Sequence, residues 1–74
     1  MDRAIFSYYT HVQDTASATW TVVHNLNRYP IVDVYIYDDQ NKLRKIIPEA
    51  VTYVDSNTCS VSFTRAFSGK ATVV

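Results

Sequence analysis

The chain reads as an all-β protein, a small antiparallel β-sandwich or squashed barrel of six to seven strands. Three observations carry this. Apolar and polar residues alternate with period two along most of the chain, and no apolar stripe at 3.6-residue spacing extends over a window of about 11 residues. Short clusters of Asp, Asn, Ser and Thr punctuate the alternation at close intervals. The apolar set is dominated by β-branched and aromatic residues, which suit a pleated, half-buried surface.

The first segment, residues 4–13, carries apolar groups on both faces: Ile5 and Tyr9 on one, Phe6, Tyr8 and Val12 on the other. Such a strand wants cover on two sides. Asp14, Thr15, Ala16 and Ser17 form a polar break, after which Ala18, Trp20, Val22 and His24 share an inward face opposite Thr19, Thr21 and Val23. Residues 24–30 form a loop, because Pro30 pushes Tyr29 out of helical geometry. A strand follows with Val32, Val34 and Ile36 facing one way and Asp33, Tyr35 and Tyr37 the other.

Residues 38–42 supply turn formers that tolerate positive φ, which matters in a chain with one glycine. A hairpin therefore returns through residues 43–47. Pro48, Glu49 and Ala50 break that strand, and residues 51–54 start the next. A turn at residues 55–58 leads into the clean alternation of residues 59–63, and Ser68 and Gly69 precede a terminal strand over residues 70–74. No internal repeat interrupts the pattern. Residues 18–74 are expected to form the β-sandwich core, and residues 1–17 an N-terminal strand or arm used in assembly.

Composition narrows the function classes. At 74 residues there is room for one thin core, since chains of this size bury only about 60% of the surface they expose when unfolded. Seven basic residues balance seven acidic ones, so the chain lacks the field that draws in nucleic acid or an anionic membrane, and neither partner is expected. One cysteine cannot form an internal disulfide, which fits a reducing compartment. Neither a leader-like apolar region nor a run of about 18 apolar residues is present, so neither export nor membrane insertion is expected.

Groups able to do chemistry scarcely converge. His11 and His24 lie in different strands, and no paired-His or Cys-x-x-Cys spacing points to zinc, so no cofactor is expected. Cys59 with His24 as base is the one conceivable nucleophile pair, yet Cys59 alternates with Val61 and Phe63 and reads as a core residue. His24 reads as a structural residue whose ring hydrogen-bonds a loop carbonyl and so fixes the corner. Asp38, Asp39 and Asp55 fit turns better than a calcium loop. The chain is not expected to be an enzyme.

Six tyrosines are a separate signal, because Tyr8, Tyr9, Tyr29, Tyr35 and Tyr37 cannot all fit inside so small a core. Some must line a surface, where a ring is buried against a partner while its hydroxyl stays wet. For Tyr35 and Tyr37 three uses stand open: a protein interface, a cross-strand ladder, or stacking against a sugar. The interface candidates are Ile5, Phe6, Tyr8, Tyr9, Val12, Tyr29, Tyr35 and Tyr37.

The run Trp20-Thr21-Val22-Val23-His24-Asn25-Leu26-Asn27-Arg28-Tyr29-Pro30-Ile31-Val32-Asp33-Val34 resembles a small β-sandwich module of tailed-bacteriophage virion proteins, with the pattern W-x-V-x-H-N-L-polar-x-x-P-x-V-x-V. The rest agrees in order: a hairpin at residues 38–42, Ile47-Pro48, Val51 and Tyr53, then Asp55-Ser56-Asn57, Val61-Ser62-Phe63 and Ser68-Gly69-Lys70-Ala71. The resemblance spans residues 18–74 and makes Trp20, His24, Asn25, Leu26 and Pro30 a structural corner.

It implies a structural component of the virion, in the tail, tail fibre, baseplate, neck or head, acting through protein-protein assembly. The expected partners are further copies of the chain and other virion proteins, with assembly in the host bacterial cytoplasm. A free-standing chain of this length would be an accessory, adaptor or decoration unit. The alternative is a receptor- or carbohydrate-binding tip module, with a cell-surface glycan held on Tyr29, Tyr35 and Tyr37.

Overall fold

Two of the alternating segments run on past the polar breaks that were expected to end them. The computed structural model describes residues 8–74 and shows an all-β chain of five strands: β1 (Tyr9–Val23), β2 (Val32–Tyr37), β3 (Leu43–Ile46), β4 (Ala50–Asp55) and β5 (Thr58–Val73). Among the described residues the expected six to seven strands are corrected to five. Residues 9–13 and 18–23 merge into β1, and residues 59–63 and 70–73 merge into β5.

The physical reason is long-range pairing: Asp14 and Ser17 suit a bulge as well as a turn, and β1 stays paired with β5 on both sides of the stretch. It bulges instead. Between the Gln13–Gly69 and Ser17–Phe67 pairs β1 spends four residues against two on β5, and between Ser17–Phe67 and Thr19–Ser62 it spends two against five. Each strand bulges in turn, and both bend together. The Trp20 indole N–H donates to the carbonyls of Ser17 (3.1 Å) and Phe67 (3.0 Å), one on each bulged strand, and so fastens the bend. The shift also changes which residues face inward: Ala18, expected beside Trp20, is exposed, and Ser17 is half-buried.

All pairings are antiparallel and β5 is the hub. Its C-terminal half lies between β1 and β2, with β3 outside β2, while its N-terminal half lies between β1 and β4. Both halves feed one buried cluster: Trp20 and Val22 from β1, Val34 and Ile36 from β2, and Cys59, Val61, Phe63, Ala71 and Val73 from β5. Burying six large side chains completely is the main drive to fold, at roughly 1.5–3 kcal/mol each.

Gly69 makes the crossing of β5 and β2 possible. A Cβ there would collide with the Tyr35 carbonyl oxygen and come within 2.8 Å of the Ile36 Cα, so only glycine lets β2 pack in register.

The division expected at residue 17 falls inside β1. Tyr9 to Gln13 pair with Gly69 to Val73 of the same chain, so this part of the arm is an integral strand. Ile5 and Phe6 lie outside the described residues.

Candidate interaction surface

The corner forms around three backbone choices. Asn25, Asn27 and Asn41 have positive φ (57°, 54° and 61°), a region that asparagine enters more readily than other non-glycine residues. Two of them turn the chain out of β1 at the corner, and the third turns the β2–β3 hairpin. That hairpin is closed by Asp38, whose Oδ1 accepts the N–H groups of Gln40 and Lys42, both at 2.9 Å. Those backbone donors, Lys42 foremost, together with the Arg44 guanidinium hold the Asp38 carboxyl below the ordinary carboxylate range.

The corner is tied to the β4–β5 turn strand by strand. His24 and Asn25 donate their N–H groups to the Asn57 carbonyl (2.9 and 3.2 Å), Asn27 donates to the Asn57 side chain (2.7 Å), and Arg28 donates to the Ser56 carbonyl (2.8 Å). His24 is buried, and its Nδ1 accepts the Leu26 N–H at 3.0 Å. The ring thus accepts a backbone N–H instead of donating to a loop carbonyl as expected, which leaves its proton on Nε2, a buried atom without a hydrogen-bond partner among the described residues. Leu26 packs on the core, and the Pro30 carbonyl accepts the Tyr53 hydroxyl at 2.6 Å. His24, Asn25, Leu26 and Pro30 are thus gathered at one end of the bent sheet, whereas Trp20, expected with them, has its indole bonded at the bend between the two halves. Sequence reasoning missed their partners Tyr53 and Asn57, which reach the corner from the far side of a turn.

The described interface candidates separate into three places. Rows of the sheet run Val12–Lys70–Tyr35–Lys45 and Tyr37–Leu43, all on the face opposite the buried cluster. Tyr8, one residue before β1, is 67% exposed, and Val12, Tyr37 and Leu43 are also exposed. Tyr35 and Tyr37 therefore do share a face with Val12, across Lys70. Lys45 and Asp33 form an ion pair at 3.4 Å on the same face. Tyr9, by contrast, stands in the inward row opposite Val73, beside His11, whose Nε2 lies 2.7 Å from the Gln13 Oε1. Tyr29 belongs to the corner, where its ring meets Tyr53 edge-on at 5.5 Å.

On the outer face of the other half, registered rows run Thr19–Ser62–Ala50 and Thr21–Ser60–Thr52, small and uncharged throughout. Where β2 and β4 diverge, a groove of about 490 Å³ opens between Val32, Val34, Ile46 and Val51. Ile47, 95% exposed, stands on its lip.

Chemically the arrangement offers little. Cys59 is fully buried opposite Val22, and burial pushes its thiol pKa up. The His24 Nδ1 is occupied by Leu26. Among the described residues no group of three or more His, Cys, Asp or Glu is placed to hold a metal ion. Comparison with known proteins found no matching family, no matching curated protein and no matching solved structure.

Proposed function

We propose that this chain is a structural module that acts by assembling with other protein subunits, and that its setting is a tailed-bacteriophage virion. The observation that carries the assembly reading is the outer face that holds Tyr8, Val12, Tyr35, Tyr37 and Leu43 around Lys70. Aromatic rings spaced among a few charges are what a protein interface presents, and a chain this small gains stability from added buried area. The virion setting rests on the ordered resemblance of residues 18–74, and the corner supports it, because His24, Leu26 and Pro30 each have a structural task there, with Trp20 fastening the bend next to it. In this reading the bend turns the two halves of the sheet into the layers of a small sandwich.

Sedimentation over a range of concentrations, with the wild-type chain and a Tyr35→Ala/Tyr37→Ala variant, tests assembly through this face. A mass that grows with concentration in the wild type and falls in the variant is the expected result. Mass spectrometry of purified particles from cells that carry the gene tests the setting; absence of the chain from particles removes it.

The glycan-binding alternative keeps one favourable feature, the flat pair Tyr35 and Tyr37 at i and i+2 on a strand. Tyr29 is engaged with Tyr53 on another element, so a platform of all three rings is not assembled. A glycan array decides between the two readings.

A further inference from the structure

We infer that the edge of β1 around Thr21, which no strand among the described residues covers, pairs antiparallel with the same segment of a second copy, joining the two sheets into one. This deepens the assembly reading and rests on it.

The hydrogen-bond pattern shows which groups are free. In an antiparallel ladder, alternate residues bond to opposite sides. His24 donates to the Asn57 carbonyl, in the same register that pairs Val22 with Cys59 and Trp20 with Val61. Trp20, Val22 and His24 therefore bond toward β5, and Thr19, Thr21 and Val23 point their backbone N–H and C=O groups away from it. The Ser17 hydroxyl engages both groups of Thr19, accepting its N–H at 3.3 Å and donating to its C=O at 2.8 Å, which leaves Thr21 and Val23 open among the described residues. Three further bonds fit the same pattern along β5 and its last neighbour: Glu49 N–H to the Ser62 carbonyl on the β4 side, and the reciprocal pair of Ile31 and Val74 on the β2 side.

The three edges of the sheet are guarded very unequally. β3 is four residues long, carries Arg44 and Lys45, and is followed by Pro48. β4 is preceded by Pro48 and Glu49 and ends at Asp55. These are the usual protections against edge pairing. β1 is 15 residues long, without Lys, Arg or Pro, and its one acidic residue, Asp14, lies on the far side of the bulge from residues 19–23.

A second copy suits this edge better than a foreign strand because the segment is self-complementary in charge. On a twofold axis a residue meets its own copy, so any charge near the axis would repel itself. Residues 19–23 have none. With the axis at Thr21, its N–H and C=O bond reciprocally to those of the partner copy, and Thr19 stands opposite a partner valine. The small uncharged rows Thr19–Ser62–Ala50 and Thr21–Ser60–Thr52 then continue across the joint without a clash.

Thr21→Pro is the sharpest test. It removes only the outward N–H, leaves the ladder to β5 in place, and should raise the dimer dissociation constant about tenfold or more. Thr21→Lys, which sets like charges against each other at the axis, should do the same and be relieved by salt, and it serves if the proline variant does not fold. In a third arm, oxidised Thr21→Cys should cross-link copies while Thr52→Cys on β4 does not. A chain that stays monomeric to about 1 mM overturns the inference. So does association that survives both substitutions, or cross-linking from position 52 alone; in those two cases assembly stands and only the edge is lost.

Discussion

His24 is held by one acceptor contact while its other nitrogen is buried without a partner, so the residue both organises the corner and carries a desolvation cost. Replacing it with alanine leaves the Leu26 N–H without its acceptor and opens a cavity beside the core. His24→Ala is expected to lower stability by about 1–3 kcal/mol, read as a drop in the midpoint of urea unfolding at unchanged slope. An unchanged midpoint would mean that the corner is held by the Asn57 carbonyl alone. Cys59 presents the opposite case, an apolar packing residue whose thiol is withdrawn from solvent and whose pKa is raised by burial. It should react with a thiol reagent at pH 8 far more slowly in the native protein than in urea, because labelling waits for opening. Rapid labelling of the folded chain would contradict that burial.

At the scale of elements, β5 decides the fold, since it pairs with three of the four other strands and bends where β1 bends. Its weak point is Gly69. Gly69→Ala drives a methyl group into the backbone of Tyr35 and Ile36, which cannot give way as a flexible side chain could. The expected cost is about 3 kcal/mol, accompanied by loss of hydrogen-exchange protection in β2 and β3 before β4. Uniform destabilisation of all strands would show that the contact with β2 is not where the strain falls. Trp20 has the complementary role, because its indole joins the two bulges, the first of which begins at the Gln13–Gly69 pair.

For the whole molecule, the N-terminal part of β1 is the element whose role changed most. Read as an arm for a neighbouring subunit, residues 9–13 instead lie against Gly69 to Val73 of their own chain. Deleting residues 1–14 therefore uncovers one side of β5 beneath the core. We expect a loss on the order of 3 kcal/mol, which for a domain this small shifts the melting temperature by roughly 10–20 °C. A truncated chain that melts like the full one would show that this pairing contributes little.

Strand character, the hairpin at Asp38, the inward rows of β2 and of residues 59–63, and the burial of Cys59 were legible in the sequence alone. Each depends on local chemistry: side-chain alternation, turn formers and the preference of asparagine for positive φ. The number of strands was not legible, because a polar tetrapeptide marks a bulge as readily as a turn, and only the pairing partner decides between them. The grouping of tyrosines was equally out of reach. Tyr35, Tyr37 and Val12 meet across Lys70, whereas Tyr29 meets Tyr53, through pairings between segments far apart in the chain. The sequence by itself determined an all-β chain with one thin core, since period and composition act within a few residues. Only the tertiary structure decided which edge stays open and which face carries the rings, because both depend on long-range register.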